Sequence, residues 1–130
     1  MATEAKSIVR TENAPAPFQG APYSQAIRTG DYLFVSGQIG LKPDHSELTG
    51  SIEEQTEQVF ANLGAILAEA GTGLDRLVKT TVFLADFDDF AAMNEVYARH
   101  VGDSPPARST VEVSALPSGA KVEIEAIAAL

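Results

Sequence analysis

The 130-residue chain has no cysteine and no tryptophan, only two histidines and two methionines, and half as many basic as acidic side chains. Each scarcity excludes something. Without cysteine there is no disulfide framework, no thiolate nucleophile and no Cys-ligated zinc or iron-sulfur site, and a reducing compartment is allowed. His45 and His100 lie far apart, so a histidine-based metal site is not expected. Nine Lys and Arg against eighteen Asp and Glu give a formal charge of -9. The mean field therefore repels phosphate backbones and disfavours nucleic acid as a partner. No window approaches the roughly 20 apolar residues of a membrane span, and residues 1–10 lack the apolar run of a signal peptide, so no membrane association and a cytoplasmic location are expected.

What is present is ordinary for a globular protein: 45% hydrophobic and 21% charged residues, ten glycines and seven prolines. One domain over residues 1–130 is expected, able to bury a core without staples. Pro15, Pro17 and Pro22 exclude a long helix near the N-terminus, leaving a strand and an extended loop. Residues 24–27 and 32–36 read as two strands around Arg28-Thr29-Gly30-Asp31, where the Gly-Asp pair signals a hairpin. After a polar loop over residues 42–50, Ser51 and Glu54 have the spacing of a capping box. Ile52, Val59, Phe60, Leu63, Ile66, Leu67 and Ala70 then form one helical stripe that Gly71 ends, with Glu53, Glu57 and Glu69 facing water.

Residues 77–84 alternate, with Val78, Thr80, Val82 and Leu84 on one side and Lys79, Thr81 and Phe83 on the other, as in a strand. A second helix is expected with Asp86 or Asp88 as cap and Phe90, Met93, Tyr97 and Val101 buried, stopping before Pro105. Residues 108–113 and 122–128 are two more strands, which Leu116-Pro117-Ser118-Gly119-Ala120 would join as a hairpin. The order β, β, β, α, β, α, β, β predicts an α+β fold: a mixed sheet with two helices on one face. A partner subunit is the simplest cover for the other face.

Several polar residues stand where packing alone does not need them. Asn94 lies in the apolar arc of the second helix, either satisfying a nearby loop carbonyl or aiming its amide into a cleft. Arg108 follows the stiff Pro105-Pro106-Ala107 lead-in, and its planar fork suits either a substrate carboxylate or a structural ion pair. Glu123 and Glu125 project from one face of the last strand beside Ile127, while Val122, Ile124 and Ala126 face the core. Such a glutamate is either a solvated strand residue or, half-buried, a group that handles a proton or a water. Tyr23 sits in a loop, and Ser36 precedes Gly37 at a strand end. Neither a serine triad nor a phosphate loop is supported by spacing.

The segments Ala21-Pro22-Tyr23-Ser24-Gln25-Ala26, Val35-Ser36-Gly37-Gln38-Ile39, Asn94-Glu95-Val96-Tyr97, Pro106-Ala107-Arg108-Ser109 and Val122-Glu123-Ile124-Glu125-Ala126-Ile127-Ala128 resemble the RidA family, also called YjgF/YER057c/UK114. The likeness runs from about Asn13 to Ala128 in family order. It implies a chorismate-mutase-like subunit, a homotrimer with three inter-subunit clefts, and hydrolysis of reactive enamines and imines such as 2-aminoacrylate to 2-keto acids and ammonia. No cofactor and no metal are implied, and the partners are a small imine, enamine or keto acid. By the same resemblance Arg108 grips the substrate carboxylate and Glu123 positions or activates water. Tyr23, Ser36, Asn94 and Thr110 complete the substrate-binding lining. Ala21 stands where the family commonly has glycine, and Thr110 where it often has cysteine; imine hydrolysis needs no thiol, and Thr110 can still donate a hydrogen bond. A non-enzymatic keto-acid-binding protein would carry a similar polar set. A ribonuclease-like role conflicts with the charge. If the last two strands form a hairpin, Arg108 and Glu123 lie on one face about 20 Å apart, at ~3.3 Å per residue, so a site holding both must draw them from different subunits.

Overall fold

The computed structural model describes residues 5–48 and 50–130. The start of the N-terminal stretch, residues 1–4, and Thr49 of the polar loop lie outside the described residues. The strands are β1 (Ser7–Val9), β2 (Ala26–Thr29), β3 (Tyr32–Ile39), β4 (Leu77–Leu84), β5 (Ala107–Glu112) and β6 (Val122–Ala129), and the helices are α1 (Ile52–Glu69) and α2 (Phe90–Val101). They build one mixed sheet in the order β1-β2-β3-β6-β4-β5 with both helices against one face, an α+β fold.

The β2–β3 hairpin turns at Gly30-Asp31, with Thr29 opposite Tyr32 and Gly30 at φ +55°. A side chain at that φ would be strained, which is why glycine stands there. At the start of α1 the capping box is closed in both directions: Glu54 N–H donates to Ser51 Oγ (3.1 Å) and Ser51 N–H to Glu54 Oε1 (3.0 Å). Gly71, at φ +83°, ends the helix, with Thr72 N–H returning to the Leu67 carbonyl. The expected stripe from Ile52 to Ala70 is buried, together with Met93, Tyr97 and Val101 of α2. The α1 helix also buries three polar side chains that periodicity does not explain. Gln55 accepts from Lys121 N–H (2.8 Å), Asn62 donates to the carbonyls of Ile39 and Leu41 (3.2 and 2.9 Å), and Thr56 donates to that of Ile52 (2.7 Å). Gln55 and Asn62 tie loops to the core, supplying partners that buried backbone groups require.

Three sequence expectations fail. β5 and β6 are not a hairpin: β5 pairs in parallel with β4, and β6 lies between β3 and β4, antiparallel to both. The β4-α2-β5 segment is a crossover unit, which sets its second strand parallel beside the first, and β6 then returns to β4's other edge, leaving the outer edge of β5 unpaired among the described strands. Val78 is 43% exposed because the register slips between Leu77 and Lys79 and turns it off the core face. Finally, Asp86 caps a 3₁₀ turn before α2 by accepting from Asp88 N–H (2.9 Å), whereas the helix's own N-cap is Asp89, whose side chain makes no capping bond.

Candidate active site

Arg108, the second residue of β5, lies directly opposite Thr80 of β4. Residues opposite one another share a face of the sheet, and Thr80 is fully buried under α2, so Arg108 points to the helix side. There its Nη1 donates to Asn94 Oδ1 at 2.8 Å. Its Cζ lies 4.7 Å from the Tyr97 ring centroid and 5.6 Å from that of Phe90. Tyr97 is itself held by Thr80, hydroxyl to hydroxyl at 2.6 Å, and by the edge of the buried Phe60 ring. Cation-π contact and one charge-assisted hydrogen bond thus fix the guanidinium direction. Among the described residues no carboxylate pairs with it, so the alternative of a structural ion pair is not realised there. Asn94, half-buried, serves this arginine and not a loop carbonyl. Two residues along the same face of β5, Thr110 Oγ1 is buried without a hydrogen-bond partner.

Glu123 occupies the other face. It lies opposite Phe83 of β4 and Ile39 of β3, whereas its neighbours Val122 and Ile124 are fully buried on the helix side. Beside it β3 carries one extra residue, a bulge between Val35 and Gln38 that contains Ser36 and Gly37. A β-carbon on Gly37 would stand 2.6 Å from Glu123 Oε1, so the absence of a side chain makes the cradle for this carboxyl. Burial, and secondarily the nearby Glu125 charge, hold the Glu123 pKa above the usual carboxylate range. Ser36 Oγ donates to the Ser24 carbonyl at 2.6 Å and Ser36 N–H to that of Gln25 at 2.9 Å, which joins the bulge to the Tyr23 loop. Tyr23 is 48% exposed, and its hydroxyl accepts from Phe18 N–H at 3.2 Å. The Phe18 ring stacks on His45, whose Nε2 lies 3.1 Å from the Ala16 carbonyl.

The expected site residues therefore fall into two groups on opposite faces of the sheet. Arg108, Asn94 and Thr110 form one on the helix side, and Tyr23, Ser36 and Glu123 form the other around the outer face. The expectation that Arg108 and Glu123 share a face 20 Å apart is incorrect because its hairpin premise is. In the observed register they are three residues and two strands apart, about 14 Å at ~3.3 Å per residue and ~4.8 Å per strand, and they point in opposite directions. A depression of about 480 Å³ on the outer face is lined by Ser24, Ser36, Phe34, Lys79 and Glu125. No trio of His, Asp or Glu among the described residues is grouped to hold a metal ion, and no helix there is long and apolar enough to cross a membrane.

Phe87 and Glu112, near Arg108, escape sequence reasoning, and for Gly37 only the role is missed. A glycine inside an alternating strand signals a bulge, yet not what fills its place. Phe87 and Glu112 carry no local signal, since the hydrogen bond from Phe87 N–H to Glu112 Oε1 (2.7 Å) spans 25 residues.

Residues 11–130 match the family described as endoribonuclease L-PSP. A RutC family protein of Pyrococcus abyssi is 52% identical over 125 residues, which cover 95% of this chain and 97% of its own. The 2-iminobutanoate/2-iminopropanoate deaminase of Mus musculus is 43% identical over 129 residues, 98% of this chain and 94% of its own. Among solved structures, E. coli TdcF with bound serine superposes with a TM-score of 0.89 at 38% identity, covering 95% of this chain and 98% of that one. With these likenesses spanning nearly its whole length, the chain belongs to the endoribonuclease L-PSP family, the RidA/YjgF family whose motifs its sequence carries.

Proposed function

We propose that this protein hydrolyses 2-imino acids and their enamine tautomers to 2-keto acids and ammonia, as a homotrimer whose sites combine the Arg108 half of one subunit with the Glu123 half of its neighbour. The observation that carries the reading is the guanidinium of Arg108, oriented by Asn94, Tyr97 and Phe90 yet without an acid partner among the described residues. A fork held in that way is complementary to a carboxylate brought by a ligand. The mouse relative is named for this reaction, and TdcF was solved with an amino acid bound.

The chemistry asks for little beyond positioning. An enamine first takes a proton on its β-carbon and becomes the imine. Water then adds to the C=N carbon while the π pair moves to nitrogen, which takes a proton. The resulting carbinolamine expels ammonia and leaves the carbonyl. Glu123, with its pKa raised by burial, is suited to accept the proton from water and return it to the departing nitrogen. Thr110 Oγ1, unpartnered, is free to bond the imine nitrogen or the carboxylate. No electrons are gained or lost overall, so the reaction requires no redox cofactor. Fixing carboxylate and water together supplies the proximity term.

Two features support assembly. The half-sites face opposite ways in one chain, so a complete site needs two. The outer sheet face also leaves Phe34, Tyr32 and Val111 between 43% and 48% exposed, an apolar surface that a second copy would bury. Cyclic closure of three chains would give three equal sites. The family's description as endoribonuclease has the net charge of -9 against it in this chain.

The test couples the protein to a serine or threonine dehydratase and traps released imine with semicarbazide. Wild type should lower the trapped product and speed the appearance of keto acid and ammonia, and Arg108→Ala should not. A folded oligomer that behaves like buffer would overturn the enzyme reading and leave keto-acid binding without turnover.

A further inference from the structure

We infer that the stacked rings of Phe87 and Phe90 form the side-chain subsite beside Arg108, so that the preferred ligands are 2-imino acids with an apolar side chain several carbons long. This rests on the reading of Arg108 as the carboxylate grip. Phe87 lies in the 3₁₀ turn Phe87–Asp89 that leads into α2 and is 44% exposed. Its ring stacks on Phe90 at 4.9 Å between centroids and 15° between planes, and Phe90 in turn lies 5.6 Å from the Arg108 Cζ. The turn is held from two sides: Phe87 N–H donates to Glu112 Oε1 (2.7 Å) and Asp88 N–H to Asp86 Oδ1 (2.9 Å). Glu112 shares its face of β5 with Arg108 and Thr110. One strand therefore presents in order a cation, a free hydroxyl and the anchor of an aromatic shelf, each about 6.6 Å from the last.

An exposed ring forgoes the gain of burial, and here a dedicated hydrogen bond keeps it in place next to an arginine without an acid partner. The matching ligand is amphipathic, a carboxylate with an apolar tail. With the carboxylate forked on Arg108 at about 2.8 Å, a methyl side chain ends beside Phe90, and only a longer one reaches Phe87. Glu112 is a positioning residue for Phe87.

The experiment generates imines in place from alanine and from leucine with a flavin amino-acid oxidase and compares kcat/KM for the two. Wild type should favour the leucine-derived imine. Phe87→Ala should lower its kcat/KM about tenfold, the scale of a methylene or two in an apolar pocket, while leaving the alanine-derived imine within about twofold. Phe87→Leu should keep the preference, and Glu112→Ala should weaken it in the same direction. Equal loss for both imines, or dissociation of the oligomer, would overturn the subsite. Calorimetric affinities for 4-methyl-2-oxopentanoate and pyruvate give a second readout that does not need turnover. If wild type hydrolyses neither imine but Phe87→Ala still erases a preference for the longer keto acid, the deaminase reading fails and the subsite stands. Unchanged ratios in an active enzyme would refute the subsite alone.

Discussion

Replacing Gly37 by alanine separates a catalytic effect from a structural one. The new β-carbon would lie 2.6 Å from Glu123 Oε1, 2.8 Å from its Cδ and 3.0 Å from its Cγ, where ordinary contact begins at 3.4 Å. The carboxyl must therefore retreat by about 0.8 Å. What gives way is the far end of a half-buried side chain, so the fold barely suffers: an off-rotamer turn costs ~0.5–1.5 kcal/mol. The lost freedom of the unfolded chain offsets ~0.4–1 kcal/mol of that, since Gly37 lies outside the left-handed region. Net stability should change by less than about 1 kcal/mol. A misplacement of this size, by contrast, can cost ~100-fold in rate. Gly37→Ala is thus expected to melt within a few degrees of wild type and to lose most of its imine hydrolysis in the dehydratase-coupled assay. Because the effect runs through Glu123, Gly37→Ala combined with Glu123→Gln should be no worse than Glu123→Gln alone. The control is Gly40→Ala, whose β-carbon would meet the Gln55 backbone at 2.7 Å; displacing α1 should cost ~1–3 kcal/mol, read as a lower urea midpoint. Gly37→Ala with wild-type activity, or with an effect that multiplies that of Glu123→Gln, would refute the reasoning.

The pH profile should carry the Glu123 signature: kcat/KM should climb as pH rises through a pKa above the usual carboxylate range, Glu123→Gln should flatten that limb, and Glu125→Gln should move it to lower pH by removing one of its causes. The same raised pKa means that the folded state favours the protonated carboxyl. Its stability contribution is present below the unfolded pKa and lost as pH rises through the folded one, so Glu123→Gln should gain on wild type in urea midpoint as pH increases. Asn94→Asp would set a carboxylate at the Oδ1 that now accepts from Arg108 at 2.8 Å. Titration calorimetry should show keto-acid affinity falling in the order wild type, Asn94→Ala, Asn94→Asp, and an Asp variant that binds like wild type would sink the carboxylate grip. Phe34, 44% exposed on the outer face, should be covered in the proposed trimer. Phe34→Asp should sediment as monomer and lose activity, whereas a wild type that is itself monomeric in the ultracentrifuge would disprove the two-chain site.

Much of the fold is legible in the chain because the signals are local. The Ser51–Glu54 box, the Gly30-Asp31 turn, the Ile52 to Ala70 stripe and the alternation of Val122 to Ile127 each follow from residues a few positions apart. So does the suspicion of Asn94 and Arg108, polar groups at positions where core or lead-in geometry holds them still. The buried Gln55 and Asn62 were not legible, since their partners lie 66 and more than 20 residues away.

By itself, then, the sequence determines the order and kind of the elements, the core-facing side of the last strand, the α+β class and, through its motif blocks, the family. Tertiary structure decides which strands are neighbours. Alternation states which side chains share a face of one strand, but pairing is made by backbone groups that are alike at every residue and is chosen by crossover packing. Only the insertion of β6 between β3 and β4 turns Arg108 and Glu123 to opposite sides of the sheet. Only the bulge at Ser36 and Gly37 makes room for the Glu123 carboxyl, because the space it fills is defined by two strands more than eighty residues apart in the chain.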